Sequence, residues 1–175
     1  MRTIPFFITE YRNANPARAK RYKAVLVRDV ESVYVGKGSI SGPDTIFRDF
    51  ADIFRERNVD ACYFIYLDNK KQPIGMESFP DDLVSGELAD FEQVARSVFR
   101  SAIMANANAF ICVRWKVTGV NVDTIDHKIA SNRLEPYATL MGIKMADYIV
   151  MSSEVGAYGR WFGFADRGLL ELGDE

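Results

Sequence analysis

The feature of this sequence that most limits its possible folds is one nearly continuous apolar segment, Ala109–Trp115. A strand with one face in water alternates apolar and polar residues, and this segment does not alternate before Arg114. The segment therefore predicts a central β-strand whose two faces are both covered by other parts of the chain. A length of 175 residues suits one domain that can bury a core of that kind.

Segments with helical periodicity flank this strand. Residues 44–58 and 90–107 each place apolar residues three and four positions apart, which predicts two helices with one buried face. A third helix is predicted over 123–140, bent near Pro136 because proline lacks a backbone donor. Gly142 then ends it.

Further apolar segments bounded by turn residues predict the remaining strands. Residues 61–67 and 72–76 form a hairpin around a polar turn. The other predicted strands are 22–30 with a partner at 32–35, then 146–151, and a final aromatic hairpin arm over 156–164. Hairpins beside helical crossovers predict a three-layer α/β/α domain with a mixed β-sheet.

We divide the chain into an N-terminal arm, residues 1–20, and a single domain, residues 21–175. The arm is predicted to be irregular because Asn13 to Pro16 disfavour regular structure. Basic residues cluster around its end: Arg12, Arg18, Lys20, Arg21 and Lys23. They indicate either a solvated arm or an arm that contacts phosphates.

Composition limits the class of partner and the compartment. A formal net charge of -2 argues against nucleic-acid binding over the whole surface, while a local basic patch stays possible. Cys62 and Cys112 each lie in an apolar run, which predicts buried free thiols. No run approaches the ~18 apolar residues of a membrane span, and Ile4–Ile8 is too short for a signal sequence. We therefore expect a cytoplasmic protein without a membrane partner.

The order of motifs around the central strand resembles a known family. Residues 105–119 run from an alanine-rich helix end through the apolar strand into a polar loop. This segment resembles the RadC branch of the JAMM/MPN (JAB) metallohydrolase domains, in which the strand leads into His-x-His-Pro-Ser-Gly and then Ser-x-x-Asp. Residues 66–77, 141–150 and 162–170 resemble other parts of that family in the same order. The resemblance covers residues 20 to 171 and implies the JAMM/MPN fold, which is cytidine-deaminase-like.

In that family, two histidines and an aspartate hold zinc, a glutamate acts as general base and a serine stabilises the oxyanion. By position, Arg114 and Lys116 replace the histidines, and His127 replaces the aspartate. Glu77 stands at the base position and Thr124 at the serine position. Arginine has no free lone pair and lysine is a cation, so these ligand positions do not suit zinc and we expect no metal cofactor.

Two hypotheses follow for this edge of the sheet. Arg114 and Lys116 bring two positive charges, as zinc does, and we predict that they fill the vacated volume and pair with Glu77. The alternative is that both are solvated at a strand end. Trp115 and Gly119 are candidate binding residues, with Trp115 either a stacking surface or a core residue.

The resemblance favours a non-catalytic binding or scaffold protein whose protein or peptide partner is unknown. One alternative is a JAMM-type metallopeptidase with relocated ligands. Its candidate ligands are Glu77, Asp123, Asp126 and His127. The other is a DNA-associated accessory protein, which the historical DNA-repair association of the RadC name implies. For the binding hypothesis, a basic edge could contact an anion, a peptide terminus or a nucleic-acid phosphate through Arg114, Lys116, Lys128 and Arg133. The sequence does not indicate an oligomeric state.

Overall fold

The computed structural model describes residues 7–11, 21–25 and 38–170. The chain forms two compact units, Met1–Tyr34 and Val35–Glu175. The predicted division into an arm, residues 1–20, and a domain, residues 21–175, stays a prediction.

In the first unit, β1 (Phe7–Tyr11) and β2 (Arg21–Val25) pair antiparallel. The prediction that the first 20 residues are irregular is wrong over β1, whose five residues pair in register with β2. The predicted partner strand at 32–35 lies outside the described residues. So do three residues of the basic cluster: Arg12, Arg18 and Lys20.

The second unit contains one five-stranded sheet. Its strands are β3 (Ala61–Leu67), β4 (Pro73–Pro80), β5 (Ala109–Trp115), β6 (Lys144–Gly156) and β7 (Gly159–Gly163). Its α-helices are α1 (Pro43–Glu56), α2 (Asp81–Ser85), α3 (Leu88–Met104), α4 (Thr124–His127) and α5 (Glu135–Met141). A π-helical segment, Lys128–Leu134, joins α4 to α5, and a 3-10 turn, Ala165–Arg167, follows β7. In the part of the chain that is described, no helix is long and apolar enough to cross a bilayer.

The strand order is β4-β3-β5-β6-β7, with β5 and β6 parallel and the other neighbours antiparallel. The predicted mixed sheet with β5 at its centre is therefore confirmed. In the antiparallel register of β3 and β5, Cys62 lies opposite Arg114 and Phe64 lies opposite Cys112. This register places Arg114 at the carboxyl end of the central strand, beside the start of β3.

Both faces of the sheet are covered, as the apolar run of β5 predicts. Phe110 and Cys112 belong to a core formed with α3, α5 and the π-helical segment. Ile111, Val113 and Trp115 belong to a second core formed with α1. Alternate residues of one strand thus enter two separate cores, which is the physical basis of the three-layer architecture.

The predicted bent helix over 123–140 is divided into α4, the π-helical segment and α5. Pro136 is the second residue of α5 and has no backbone N–H to donate. The wider turn directly before it accommodates this missing donor. Gly142 ends α5 in the left-handed conformation with a φ of 65°, as predicted.

The loop between β5 and α4, residues 116–123, is pressed against the end of β6. Gly119 is buried with a φ of +100°, and its N–H donates to Ser152 Oγ at 3.2 Å. Gly156 approaches the backbone of Val120 so closely that an added Cβ would lie 2.4 Å from Val120 N. Glycines on both sides allow this contact, which fixes the loop leaving the central strand.

Candidate functional site

A buried ion cluster lies at the carboxyl end of β5, where ligands bind in many α/β proteins. Arg114 makes a bidentate contact with Asp81: Nε lies 2.7 Å from Oδ1 and Nη2 lies 2.9 Å from Oδ2. Its Nη1 donates to Asp126 Oδ1 at 2.8 Å. The Arg114 side chain is 6% exposed and that of Asp126 is 0% exposed. One guanidinium thus joins α2, β5 and α4.

Asp126 is positioned by the cap of α4. Asp123 accepts from Ile125 N at 2.9 Å, and Asp126 Oδ2 accepts from Asp123 N at 3.0 Å. Asp126 N donates back to Asp123 Oδ1 at 3.2 Å, which completes a reciprocal capping box. Tyr148 OH donates to Asp126 Oδ1 at 2.9 Å. Both carboxylate oxygens of Asp126 are therefore occupied.

Lys116 extends the cluster towards the surface. Residues two apart on a strand point the same way, so Lys116 lies on the same side as Arg114. Its Nζ lies 3.0 Å from Asp60 Oδ2 and 3.1 Å from Asp81 Oδ2. Asp60 Oδ1 also accepts from Val117 N at 2.8 Å. Asp81 is thus shared between both cations.

The charges in the cluster hold each other ionised. Burial raises the pKa of Asp81, but the hydrogen bonds and charge of Arg114, together with those of Lys116, outweigh it and lower this pKa to about 2. Burial lowers the pKa of Arg114, but its bonds to Asp81 and Asp126 raise it above its ordinary value. Asp81 and Arg114 therefore stay charged across the physiological range.

The two cysteines lie beside the cluster, buried and free as predicted. Cys62 Sγ lies 3.7 Å from Asp81 Oδ1. A thiol–thiol hydrogen bond with Cys112, together with burial, raises the pKa of Cys62 well above its ordinary value. Cys62 is thus held in the thiol form, which is the unreactive form.

The predicted pairing of Arg114 and Lys116 with Glu77 is wrong. Glu77 lies on β4 opposite Phe64, so β3 separates it from Arg114, and the two Cα positions are about 12 Å apart from strand spacing and rise. Glu77 instead accepts a hydrogen bond from Ser101 Oγ on α3. The cations pair with carboxylates that lie at the strand end itself.

Glu77 occupies a buried polar cluster on the α3 side of the sheet. Burial raises its pKa, and the hydrogen bond from Ser101 offsets only part of that rise. Among the described residues, Glu77 Oε2 and Tyr66 Oη have no partner with good hydrogen-bond geometry. A carboxyl in such a place is less stable when ionised.

Replacing Glu77 with glutamine is expected to raise the free energy of unfolding at pH 8 by about 1 kcal/mol, because the amide adds a donor for Tyr66 and removes a buried charge. Since the native pKa of Glu77 is raised, the wild type loses stability as pH rises through that pKa, and the variant does not. Urea unfolding from pH 5 to pH 8 measures this. Exposed Glu154→Gln is the control, and a less stable Glu77→Gln at pH 8 would show that Glu77 works as an anion.

The remaining candidate residues do not join the cluster. His127 is exposed and its ring lies 5.0 Å from the ring of Phe164. Thr124 is exposed at the first position of α4. Trp115 is 1% exposed and packs against Phe54, so the predicted stacking surface is wrong and the core interpretation holds.

The predicted basic edge is not free to hold phosphates. Arg114 and Lys116 are paired with carboxylates. Arg133 is 5% exposed and donates to the carbonyl oxygens of Val84 and Gly86, both at 2.6 Å. Of the four basic residues predicted there, Arg114, Lys116 and Arg133 already donate hydrogen bonds to groups of this protein, and Lys128 is exposed.

The donor set at this edge does not fit zinc. Zinc needs free lone pairs on nitrogen, oxygen or sulfur, and the Asp81 and Asp126 oxygens face arginine, lysine, tyrosine or backbone donors. The relocated ligand set is not assembled either, since Glu77 lies across β3 and His127 packs on Phe164. Within residues 38–170 and the two N-terminal strands, no group of three His, Cys, Asp or Glu side chains is placed to hold a metal.

Of the three carboxylates that hold the cations, sequence reasoning named Asp126 only as a candidate metal ligand and missed Asp60 and Asp81. Asp126 was visible as the fourth residue of an Asp-x-x-Asp cap, a pattern that predicts a helix start. Asp60 and Asp81 carry no local signal, because only the register of the strands brings them beside Arg114 and Lys116.

Comparison with known proteins identifies the family. A family model of the RadC-like JAB domain matches residues 40–169. The chain belongs to the RadC-like JAB domain family. This confirms the resemblance on which the ligand positions above were assigned.

The domain is also similar to several UPF0758 proteins. It is 26% identical over 167 residues to one from Xanthomonas axonopodis pv. citri, covering 94% of this chain and 70% of the relative. A relative from Geotalea uraniireducens is 25% identical over 170 residues, with coverages of 93% and 69%. A third, from Finegoldia magna, is 27% identical over 115 residues and covers 66% of this chain and 50% of the relative.

Proposed function

We propose that this RadC-like JAB domain is non-catalytic and works by binding another protein, with Arg114 as the cation at the position of the family's metal site. One observation carries the proposal: the guanidinium joins Asp81 and Asp126 through three hydrogen bonds of 2.7 to 2.9 Å while 6% exposed. A permanently charged side chain tied in this way leaves no position for exchange with a ligand.

The chemistry of a guanidinium supports a domain that does not catalyse hydrolysis. A hydrolytic zinc works because it keeps one open position and lowers the pKa of its bound water to about 7. A guanidinium has no open coordination site and cannot activate water in that way. Glu77, at the family's general-base position, is turned into a buried polar cluster with Ser101 instead. The residues that would carry the reaction are therefore apart from one another.

Charge favours a protein partner over a nucleic acid. Two cations in the cluster face four carboxylates, those of Asp60, Asp81, Asp123 and Asp126. The surplus of negative charge repels phosphates and attracts cationic groups.

The test is the metal content of the purified full chain after dialysis against excess zinc. We expect zinc well below one equivalent, with the same value in His127→Ala, because no set of free ligands is assembled. Stoichiometric zinc that is lost in His127→Ala would contradict the proposal and favour a metallohydrolase with relocated ligands. Glu154→Ala, which removes an exposed carboxylate outside the cluster, is the matched control for nonspecific zinc.

A further inference from the structure

Two exposed leucines stand next to the ion cluster on the corner between α2 and α3, residues 81–90, here called the α2–α3 corner. Leu83 is 36% exposed and Leu88 is 58% exposed. The same corner buries Val84 at 0% exposure and pairs Asp81 with Arg114. Val84 and Asp81 thus attach the corner to the protein interior, while two large apolar side chains of the corner are exposed to solvent.

The backbone of the α2–α3 corner is held rigidly. Arg133 donates to the carbonyl oxygens of Val84 and Gly86, and its guanidinium lies 5.4 Å from the centre of the Phe91 ring. Gly86 N donates to Asp82 O at 2.8 Å, and an added Cβ on Gly86 would lie 2.3 Å from that oxygen. A surface fixed in this way loses little conformational entropy on binding.

The charged residues of the corner's own segment are all acidic. Residues 72–95 contain no lysine, arginine or histidine. Three carboxylates of the corner, Asp82, Glu87 and Asp90, belong to exposed residues. Across the cluster, the Asp123 side chain is 52% exposed and Asp60 is 37% exposed. A partner here must supply apolar contacts and positive charge together.

We infer that the α2–α3 corner is a docking surface for a basic amphipathic segment of another polypeptide, whose apolar face covers Leu83 and Leu88 while its lysines or arginines meet Asp82 and Glu87. The inference rests on the proposed binding function and names its partner class. An amphipathic helix supplies apolar side chains three and four residues apart, with cationic residues beside them. Opposite charges steer such a segment to the corner, and the leucines supply the area that is removed from water.

The test uses the full chain and a synthetic helical peptide built from leucine and lysine, titrated by isothermal calorimetry. We expect Leu83→Ser with Leu88→Ser to weaken peptide binding about tenfold or more, since the variant loses the apolar area that both leucines remove from water in the complex. Leu140→Ser is the matched control, because Leu140 is a 77% exposed leucine on α5, outside residues 81–90. Urea unfolding confirms that each variant is folded.

A second pair of variants tests charge. Asp82→Asn with Glu87→Gln is expected to weaken the peptide about fivefold and to reduce its salt dependence. Asp52→Asn with Glu56→Gln on α1 is the control and leaves the affinity unchanged. No peptide binding by the wild type, equal binding by the corner variants, or tighter binding of a DNA duplex than of the peptide would overturn the inference. Zinc content decides the proposed function separately, so the two failures are distinguishable.

Discussion

Replacing Arg114 with methionine is expected to lower the free energy of unfolding by about 3–5 kcal/mol, the range measured when one partner of a buried ion pair is removed. Methionine fills much of the volume but leaves Asp81 and Asp126 without their cation. Asp126 is fully buried, so water does not replace the lost hydrogen bonds. Urea unfolding at pH 7 measures the change.

Lys116→Met is the matched control for Arg114→Met. Lys116 also pairs with Asp81, but its side chain is 18% exposed and its second partner, Asp60, is 37% exposed. Water solvates the carboxylates that remain when such a partly exposed ion pair is broken. We therefore expect the free energy of unfolding to fall by about 1 kcal/mol or less. Equal losses of unfolding free energy in the two variants would show that burial does not determine how much each ion pair stabilises the fold.

Arg114→Met is also expected to reverse the way in which stability responds to acid. In the wild type, the native pKa of Asp81 is about 2 and that of an unfolded aspartate is about 3.9, so its contribution is present above about pH 4 and is lost as pH falls to about 2. Without Arg114, burial, the largest single influence on the pKa of Asp81, is opposed only by the smaller effects of Lys116, so the protonated form is favoured. Unfolding of Arg114→Met between pH 7 and pH 4 is therefore expected to show stability rising as the pH falls.

Replacing Gly156 with alanine is expected to lower the free energy of unfolding by about 2–3 kcal/mol, as overpacking does in other cores. The new Cβ would lie 2.4 Å from both the N and the O of Val120, and backbone atoms have no alternative rotamer. Either the β6–β7 hairpin or the loop after β5 must move. Thermal and urea unfolding measure the effect.

Gly38→Ala is the control for Gly156→Ala, because an added Cβ there meets no atom within 4 Å and the backbone is not left-handed. We expect a change within about 0.5 kcal/mol of zero. If Gly156→Ala is as stable as the control, the loop is not held by this close approach, and its placement beside the ion cluster needs another cause.

Local patterns predicted the elements whose ends coincide with a change in hydrophobicity. β3 and β5 begin and end at Ala61–Leu67 and Ala109–Trp115, the bounds of two apolar runs. β6 continues past its apolar run to Gly156, because pairing with β7 and not the apolar pattern decides where it ends. β4 extends to Pro80 for a similar reason, since its last residues pair with the start of β3.

The sequence also drew attention to this edge of the sheet, through the positions of Arg114 and Lys116 in a family that the comparisons confirm. It did not predict their partners, because Asp60 and Asp81 approach only when three strands pair in register. The position assigned to the aspartate ligand fell on His127, whereas the buried carboxylate belongs to its neighbour, Asp126. The rotation of a helix about its axis decides which of two neighbouring residues faces the interior, and motif spacing alone does not fix that rotation.

We propose that Arg114, and not a metal, is the cation that holds α2, β5 and α4 together. A bound metal stabilises the native state by mass action, so its removal lowers the unfolding temperature. The most direct measurement is thermal unfolding of the wild-type chain alone, with EDTA, and with zinc added back. We expect the same midpoint in all three, while a midpoint that falls with EDTA and recovers with zinc would contradict the claim.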